Sequence, residues 1–172
     1  HTSAFPAGEI RGQIVRCTCF QPSTGLFCTP KPGVCGTPII SATGVPSAAA
    51  GSGFVVTARP ARACRAGILL YNSDQIAGIP FQGGTLCVRP QGLRRAGPTN
   101  SRGTPGSNCN GAFSIDMNAF ARGVWTVPDC AGAPSGLAPN NPAAFLRIPG
   151  VTVYTQYWGR DTVATGSFVS DG

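Results

Sequence analysis

Short apolar segments with a period of two recur along the whole chain, separated by clusters of turn-forming residues. The clearest alternation is at 111–117, where Phe113, Ile115 and Met117 alternate with Ser114 and Asp116, which gives a strand one apolar face. Residues 151–158 are almost entirely β-branched or aromatic, which also predicts a strand. Further strands are predicted at 9–19, 39–43, 54–58, 67–71, 85–89 and 166–170.

The segments between these strands hold the glycine and proline residues that break helices and form turns. Residues 20–38 and 45–53 are predicted as loops, residues 123–142 as one long loop, and residues 117–122 as a helix or turn. Long helical segments do not alternate with the strands, so a parallel α/β sheet is excluded. The pattern predicts an all-β fold: a disulfide-stapled antiparallel β-sandwich, jelly-roll or Ig-like, of about eight strands. We assign residues 1–36 to an N-terminal Cys-rich arm and residues 37–172 to the sandwich domain.

Cysteine is the strongest compositional signal. The even number, the absence of a C-x-x-C pair and a single histidine at the terminus favour disulfides in an oxidising compartment over a metal site. Roughly a hundred connectivities are open to eight cysteines, among which the spacing favours the local pairs Cys28–Cys35 and Cys109–Cys130. The eight residues are Cys17, Cys19, Cys28, Cys35, Cys64, Cys87, Cys109 and Cys130.

The net charge of +7 comes almost entirely from arginine, with Lys31 as the one lysine. The arginines are spread along the chain without a dense or aromatic-interleaved basic run, so we expect no nucleic-acid partner, and acidic glycans or a negatively charged cell surface fit better. No segment approaches the ~20 apolar residues of a membrane span. The start at His1, without an initiator Met, fits a mature N-terminus after cleavage or a remnant of an expression vector.

Catalytic chemistry finds little support in the sequence. A copper-binding histidine brace at His1 needs a second histidine, and a Ser-His-Asp triad needs an internal one; the chain has neither. Two carboxylates could meet in space as a glycosidase-like pair, but their spacing gives no reason to expect it; an Arg160–Asp161 pair is more typical of a structural ion pair or turn cap. We therefore expect no enzyme, no cofactor and no metal. The carboxylates are Glu9, Asp74, Asp116, Asp129, Asp161 and Asp171.

One aromatic stripe is a candidate ligand face. Tyr154, Gln156 and Trp158 lie at i, i+2 and i+4, so they share one face of the predicted strand. Sugar-binding platforms use such stripes. The alternative is that part of the stripe is core and the rest is ordinary exposed sheet.

Four motifs follow one another along the chain: GILLYNSDQ (67–75), IPFQGGTLCV (79–88), VYTQYWGRD (153–161) and FVSDG (168–172). Their order resembles a C-terminal β-domain of secreted planctomycete and myxobacterial proteins, and the resemblance covers residues 39–172. It implies export and a role at the cell surface, and it supplies no catalytic residue. The family pattern adds a Cys shortly after Arg-Asp, which is absent here and leaves the partner of Cys87 open. It also adds a closing strand after Ser-Asp-Gly, where this sequence ends.

These observations together predict a non-enzymatic, secreted bacterial structural protein that self-associates. We expect a subunit of a cell-surface or extracellular filament in which the arm, through its strand at 9–19, pairs with a neighbouring subunit by strand exchange. The arm could instead fold back on its own domain. The alternative function is a carbohydrate-binding or adhesion module of a secreted protein, with glycans as partners.

Overall fold

Antiparallel strands form about half of the chain that the structure, a computed structural model, describes: residues 13–16, 24–106, 108–131, 133–137, 141–160 and 167–170. A short α-helix, α1 (Met117–Ala121), follows the eighth strand, and a 3-10 helix (Ala144–Arg147) precedes the eleventh. The described strands are β1 (Gln13–Arg16), β2 (Ile39–Gly44), β3 (Phe54–Ala61), β4 (Ala66–Asn72), β5 (Gln75–Phe81), β6 (Gly84–Val88), β7 (Arg94–Asn100), β8 (Gly111–Asp116), β9 (Thr126–Pro128), β10 (Pro134–Leu137), β11 (Thr152–Arg160) and β12 (Ser167–Val169).

Two antiparallel sheets pack face to face and confirm the predicted sandwich. Sheet A has the order β1-β11-β4-β7, with β12 also paired to β11, and sheet B has the order β2-β3-β8. The inward faces of both sheets bury one large cluster that includes Val56, Phe113, Leu69, Tyr71 and Tyr157. The sheets approach closely at Gly67 of β4, where a Cβ atom would lie 2.4 Å from the Phe113 ring.

A third, partial layer covers the other face of sheet A. The β5–β6 hairpin and the segment around Phe27 and Cys28 form a second buried cluster with Leu70 of β4 and with Leu86 and Val88 of β6. Strand β4 is therefore buried on both faces. This explains why its sequence is a continuous apolar run without alternation.

The strand predictions are confirmed at β2, β3, β4, β6, β8 and β11, and four further strands, β5, β7, β9 and β10, are not predicted. Strands β5 and β7 contain Gly-x-Pro or Gly-Pro sequences (Gly78, Pro80, Gly97, Pro98), which weaken a strand signal. Both lie at sheet edges, where a missing backbone donor is tolerated. The predicted long loop at 123–142 is wrong in part, because it contains the paired strands β9 and β10.

Three disulfides connect distant parts of the described chain: Cys28–Cys87, Cys35–Cys109 and Cys64–Cys130. The favoured local pairs Cys28–Cys35 and Cys109–Cys130 are therefore wrong. Sequence separations of 59, 74 and 66 residues mean that the sheets bring the partners together, which loop length does not indicate. Closing loops of this size stabilises the fold by about 4 kcal/mol per bridge in the chain-entropy account. Cys17 and Cys19 lie outside the described residues.

The bridges also show how the described part of the predicted arm is placed. Cys28 is bonded to Cys87 of β6 and is 2% exposed, and its neighbour Phe27 is also buried. Phe27 and Cys28 therefore pack in the layer over sheet A, whereas Cys35 is bonded to Cys109, next to β8 of sheet B. Neither helix in the described ranges is long or apolar enough to cross a lipid bilayer.

Candidate functional site

The predicted ligand face lies on β11, the strand at the centre of sheet A. Tyr154, Gln156 and Trp158 do share one face, as predicted, but the third layer covers that face. The Tyr154 ring packs edge-on against Phe27 with 5.3 Å between ring centroids, and Gln156 is completely buried. The prediction of an open platform is thus wrong for Gln156, and the two aromatic side chains are half-buried packing residues.

Gln156 instead joins β11 to β6 and to the segment after β12 through its side-chain amide. Its Nε2 group donates hydrogen bonds to the carbonyl oxygens of Thr85 (2.8 Å) and Ser170 (2.9 Å), and lies 3.5 Å from the sulfur of Cys28. Its Oε1 atom accepts a hydrogen bond from the backbone N–H of Cys87 at 3.2 Å. One buried side chain therefore satisfies backbone groups of β6 and of the segment that follows β12.

The outer edge of β11 is completed by two segments from opposite ends of the sequence. Strand β12 pairs with residues 158–160 of β11, and β1 pairs with residues 152–155 in the same antiparallel direction. Between them, Ser170 and Tyr157 exchange two hydrogen bonds of 2.8 Å, one through the Ser170 hydroxyl. Strands β1 and β12 thus lie end to end along one edge and together cover it. In this structure the strand of the arm lies on its own domain.

Strand β1 has few connections to the rest of the domain. It pairs with β11 and with no other strand that the structure describes. All three observed bridges lie within residues 28–130, so none of them joins β1 to the sheets. From Arg16 to the next described residue, Thr24, an extended chain spans at most about 28 Å. Strand β1 is consequently a tethered edge strand.

The three carboxylates in the described ranges are used by local structure. Asp74 pairs with Arg89, and Asp129 accepts the backbone N–H of Ala133. Asp116 caps helix α1 by accepting from two N–H groups of its first turn and also accepts from Gly53. Glu9, Asp161 and Asp171 lie outside the described residues, as does His1, so the predicted Arg160–Asp161 pair is untested. No group of three metal-ligating side chains occurs in the described part of the chain.

Two buried tyrosines have perturbed acidities with structural causes. Burial raises the pKa of Tyr157 far above its usual value, and its hydroxyl donates to the carbonyl of Val56 at 3.3 Å. Burial also raises the pKa of Tyr71, partly offset by the N–H of Ala143, which donates to its hydroxyl at 3.1 Å, and by the charge of Arg94. Both phenols face the main core. They stay protonated at neutral pH and serve as packing residues.

Two concave features of the described surface are candidates for ligand binding. The first is a largely apolar cavity of about 50 Å³ at the seam between the sheets, which β11 lines with Val153 and Thr155. The Thr155 hydroxyl is buried there without a hydrogen-bond partner among the described residues. The second is a wide cleft of about 560 Å³ on the outer face of sheet B, lined by both polar and apolar groups, with Arg59 as its one charged lining residue.

Comparison with known proteins adds no relative: no protein-family model, no curated protein and no solved structure matches this chain.

Proposed function

We propose that this protein is a non-enzymatic structural protein that works outside the cell and assembles into a filament by exchanging strand β1 between subunits. The observation that carries the proposal is the composite edge of β11. A four-residue strand, tethered by a linker and outside the described disulfide network, supplies part of the edge that β12 leaves uncovered. The same pairing can be made with the β11 of a second copy, since domain swapping reuses intramolecular contacts between subunits.

The geometry favours an open assembly over a closed pair of molecules. Each subunit gives one strand and offers one edge, and the strand and the edge are different surfaces. A contact of that kind is heterologous, so it continues into a filament unless the rotation between subunits closes a ring. Exposed strand edges are liabilities that proteins cover or use for pairing. Here strand β1 covers part of the edge of β11, and in the proposed assembly it dissociates from that edge and pairs with a neighbour.

Three disulfides support an extracellular site of action, because such bridges persist in oxidising compartments. The resemblance to domains of secreted proteins points the same way. Cys17 and Cys19 follow β1 directly in the sequence. A bridge from one of them to a neighbour would lock an exchanged strand covalently.

The test is a single substitution that removes a backbone donor from β1. Val15→Pro takes away the N–H group that faces β11: Val15 lies opposite Val153, and the two bonds between Tyr157 and Ser170 show that the odd-numbered residues of β11 carry the hydrogen bonds on this edge. We expect native wild-type protein to form species much larger than the 17.5 kDa monomer in sedimentation and electron microscopy. Val15→Pro should shift it to monomers, while the matched control Val15→Ile, which keeps the donor, should still polymerise.

Disulfide mapping separates loss of exchange from loss of folding. In the Val15→Pro variant, Cys28–Cys87, Cys35–Cys109 and Cys64–Cys130 should form as in the wild type, because none involves β1. Wild-type protein that sediments as a 17.5 kDa monomer at all concentrations would refute the proposal. Polymers that persist unchanged in Val15→Pro would show that assembly uses another surface.

A further inference from the structure

The cleft on the outer face of sheet B combines polar groups, room and one unpaired cation. Its walls come from β2 (Ile39, Ser41), from β3 (Arg59, Pro60) and from the segment 109–112 that leads into β8. Arg59 is exposed, and its guanidinium makes no hydrogen bond or ion pair with any residue that the structure describes. The bridge Cys35–Cys109 fixes the wall opposite the strands. The cleft is thus a shaped surface and not a flat sheet.

Positive charge extends from the cleft along the same end of the molecule. The backbone N–H of Ala63 donates to Asn108, one residue before the cleft wall, at 2.9 Å. Further backbone bonds join Cys64 to Arg102 and Arg65 to Ser101, at 2.8 and 2.9 Å. Two loops that carry Arg62, Arg65 and Arg102 therefore lie beside the cleft. One carboxylate, Asp129, is next to Cys130, which the bridge to Cys64 brings to this end.

We propose that this cleft binds an acidic polysaccharide, with the Arg59 guanidinium on a carboxylate or sulfate group. Arginine suits this role because its planar fork makes two parallel hydrogen bonds to such groups. The flanking arginines would attract a polyanion from a distance and contact neighbouring acidic residues of the chain. A filament of such subunits would carry one site per subunit, although the site itself does not depend on filament assembly.

The lining chemistry favours an acidic saccharide, held by its charged groups and not by ring stacking, over a nucleic acid. Single-stranded nucleic acids are held by aromatic side chains that stack on bases. No aromatic residue lines this cleft in the described part of the chain. Ser41 instead provides a short polar group at its surface, which matches sugar hydroxyls, whereas the Asn110 amide is bonded to Thr104.

The experiment is calorimetric titration of the full-length protein with short polygalacturonate and heparin oligosaccharides, which present carboxylates alone or sulfates as well. Neutral dextran oligosaccharides and single-stranded DNA serve as comparison ligands. We expect both acidic oligosaccharides to bind, with affinity falling as salt rises, and neutral dextran not to bind. Arg59→Gln should weaken binding roughly tenfold or more, since a charge-assisted hydrogen-bond pair is lost.

Matched variants decide whether the cleft itself is the site. Arg147→Gln removes the same charge from an exposed arginine of the 3-10 helix and should change affinity less than about twofold. Ser41→Glu places a repelling carboxylate in the cleft and should abolish binding even if Arg59→Gln folds poorly. Equal losses in Arg59→Gln and Arg147→Gln would overturn the proposal in favour of diffuse attraction. Tighter, Arg59-dependent binding of DNA would overturn the assignment of the ligand.

Discussion

Gln156 offers the sharpest test of how the layers of this protein are held together. Gln156→Leu keeps a side chain of similar size and removes every polar atom of it. Two carbonyl oxygens, of Thr85 and Ser170, and the N–H of Cys87 then lose their partner at a site that is completely buried. Water cannot replace the amide without opening the interface between sheet A and the third layer.

The expected loss of stability follows from those three groups. A buried group left without a hydrogen bond costs about 1–3 kcal/mol, with carbonyls at the lower end because they have two lone pairs. The sum is about 3–6 kcal/mol, offset by about 1 kcal/mol from burial of the leucine. We therefore expect the free energy of unfolding to fall by about 2–5 kcal/mol, and Tm by roughly 5–15 °C for a chain of this size.

The assay is urea unfolding of the oxidised protein, followed by tryptophan fluorescence, with calorimetry to check two-state behaviour. Gln91→Leu is the matched control because its side chain is exposed and only its backbone carbonyl is used, by Asn72. That control should stay within about 0.5 kcal/mol of wild type. A loss below about 1 kcal/mol in Gln156→Leu would refute the reasoning and show that its hydrogen bonds are replaced.

Two further predictions concern the main core. Thr155→Val should raise the free energy of unfolding by about 1 kcal/mol, because it removes an unpaired buried hydroxyl from a largely apolar cavity while keeping the shape of the side chain. The measurement is a denaturant titration. No gain in stability would mean that the hydroxyl already has a hydrogen-bond partner. Tyr157, whose folded pKa is raised by burial, contributes stability that is complete below its unfolded pKa of 10.0 and declines above it. In pH-jump unfolding, Tyr157→Phe should therefore lose less stability than wild type above that pH, by about 1.4 kcal/mol per pH unit. Identical alkaline slopes for the two proteins would contradict this.

The buried position of Gln156 also changes how the aromatic stripe on β11 should be interpreted. A polar residue between two aromatic ones on a single strand face resembles a ligand platform, and the three side chains do lie on one face of β11. The sequence of β11 alone does not indicate that the β5–β6 hairpin lies over that face. The amide of Gln156 is retained inside because it satisfies backbone groups of that layer.

Local chemistry made much of this fold predictable. Alternation placed Phe113, Ile115 and Met117 inward and Ser114 and Asp116 outward, and the structure confirms that pattern. Turn residues locate most strand boundaries, and the absence of long helical segments between the strands argues against an α/β fold. These features depend on neighbours within a few residues, where the period of a strand and the conformations of glycine and proline act directly.

Other features depended on contacts between residues far apart, and only the tertiary structure decided them. The bridges pair cysteines 59–74 residues apart, which the spacing along the chain does not encode. The cleft at Arg59 exists because the β2–β3 pair and the loop 109–110 meet at one end of sheet B. The edge shared by β1 and β12 joins segments from opposite ends of the sequence. Sequence determines local periodicity, whereas the partner of each strand is chosen by the burial and hydrogen bonding of the whole fold.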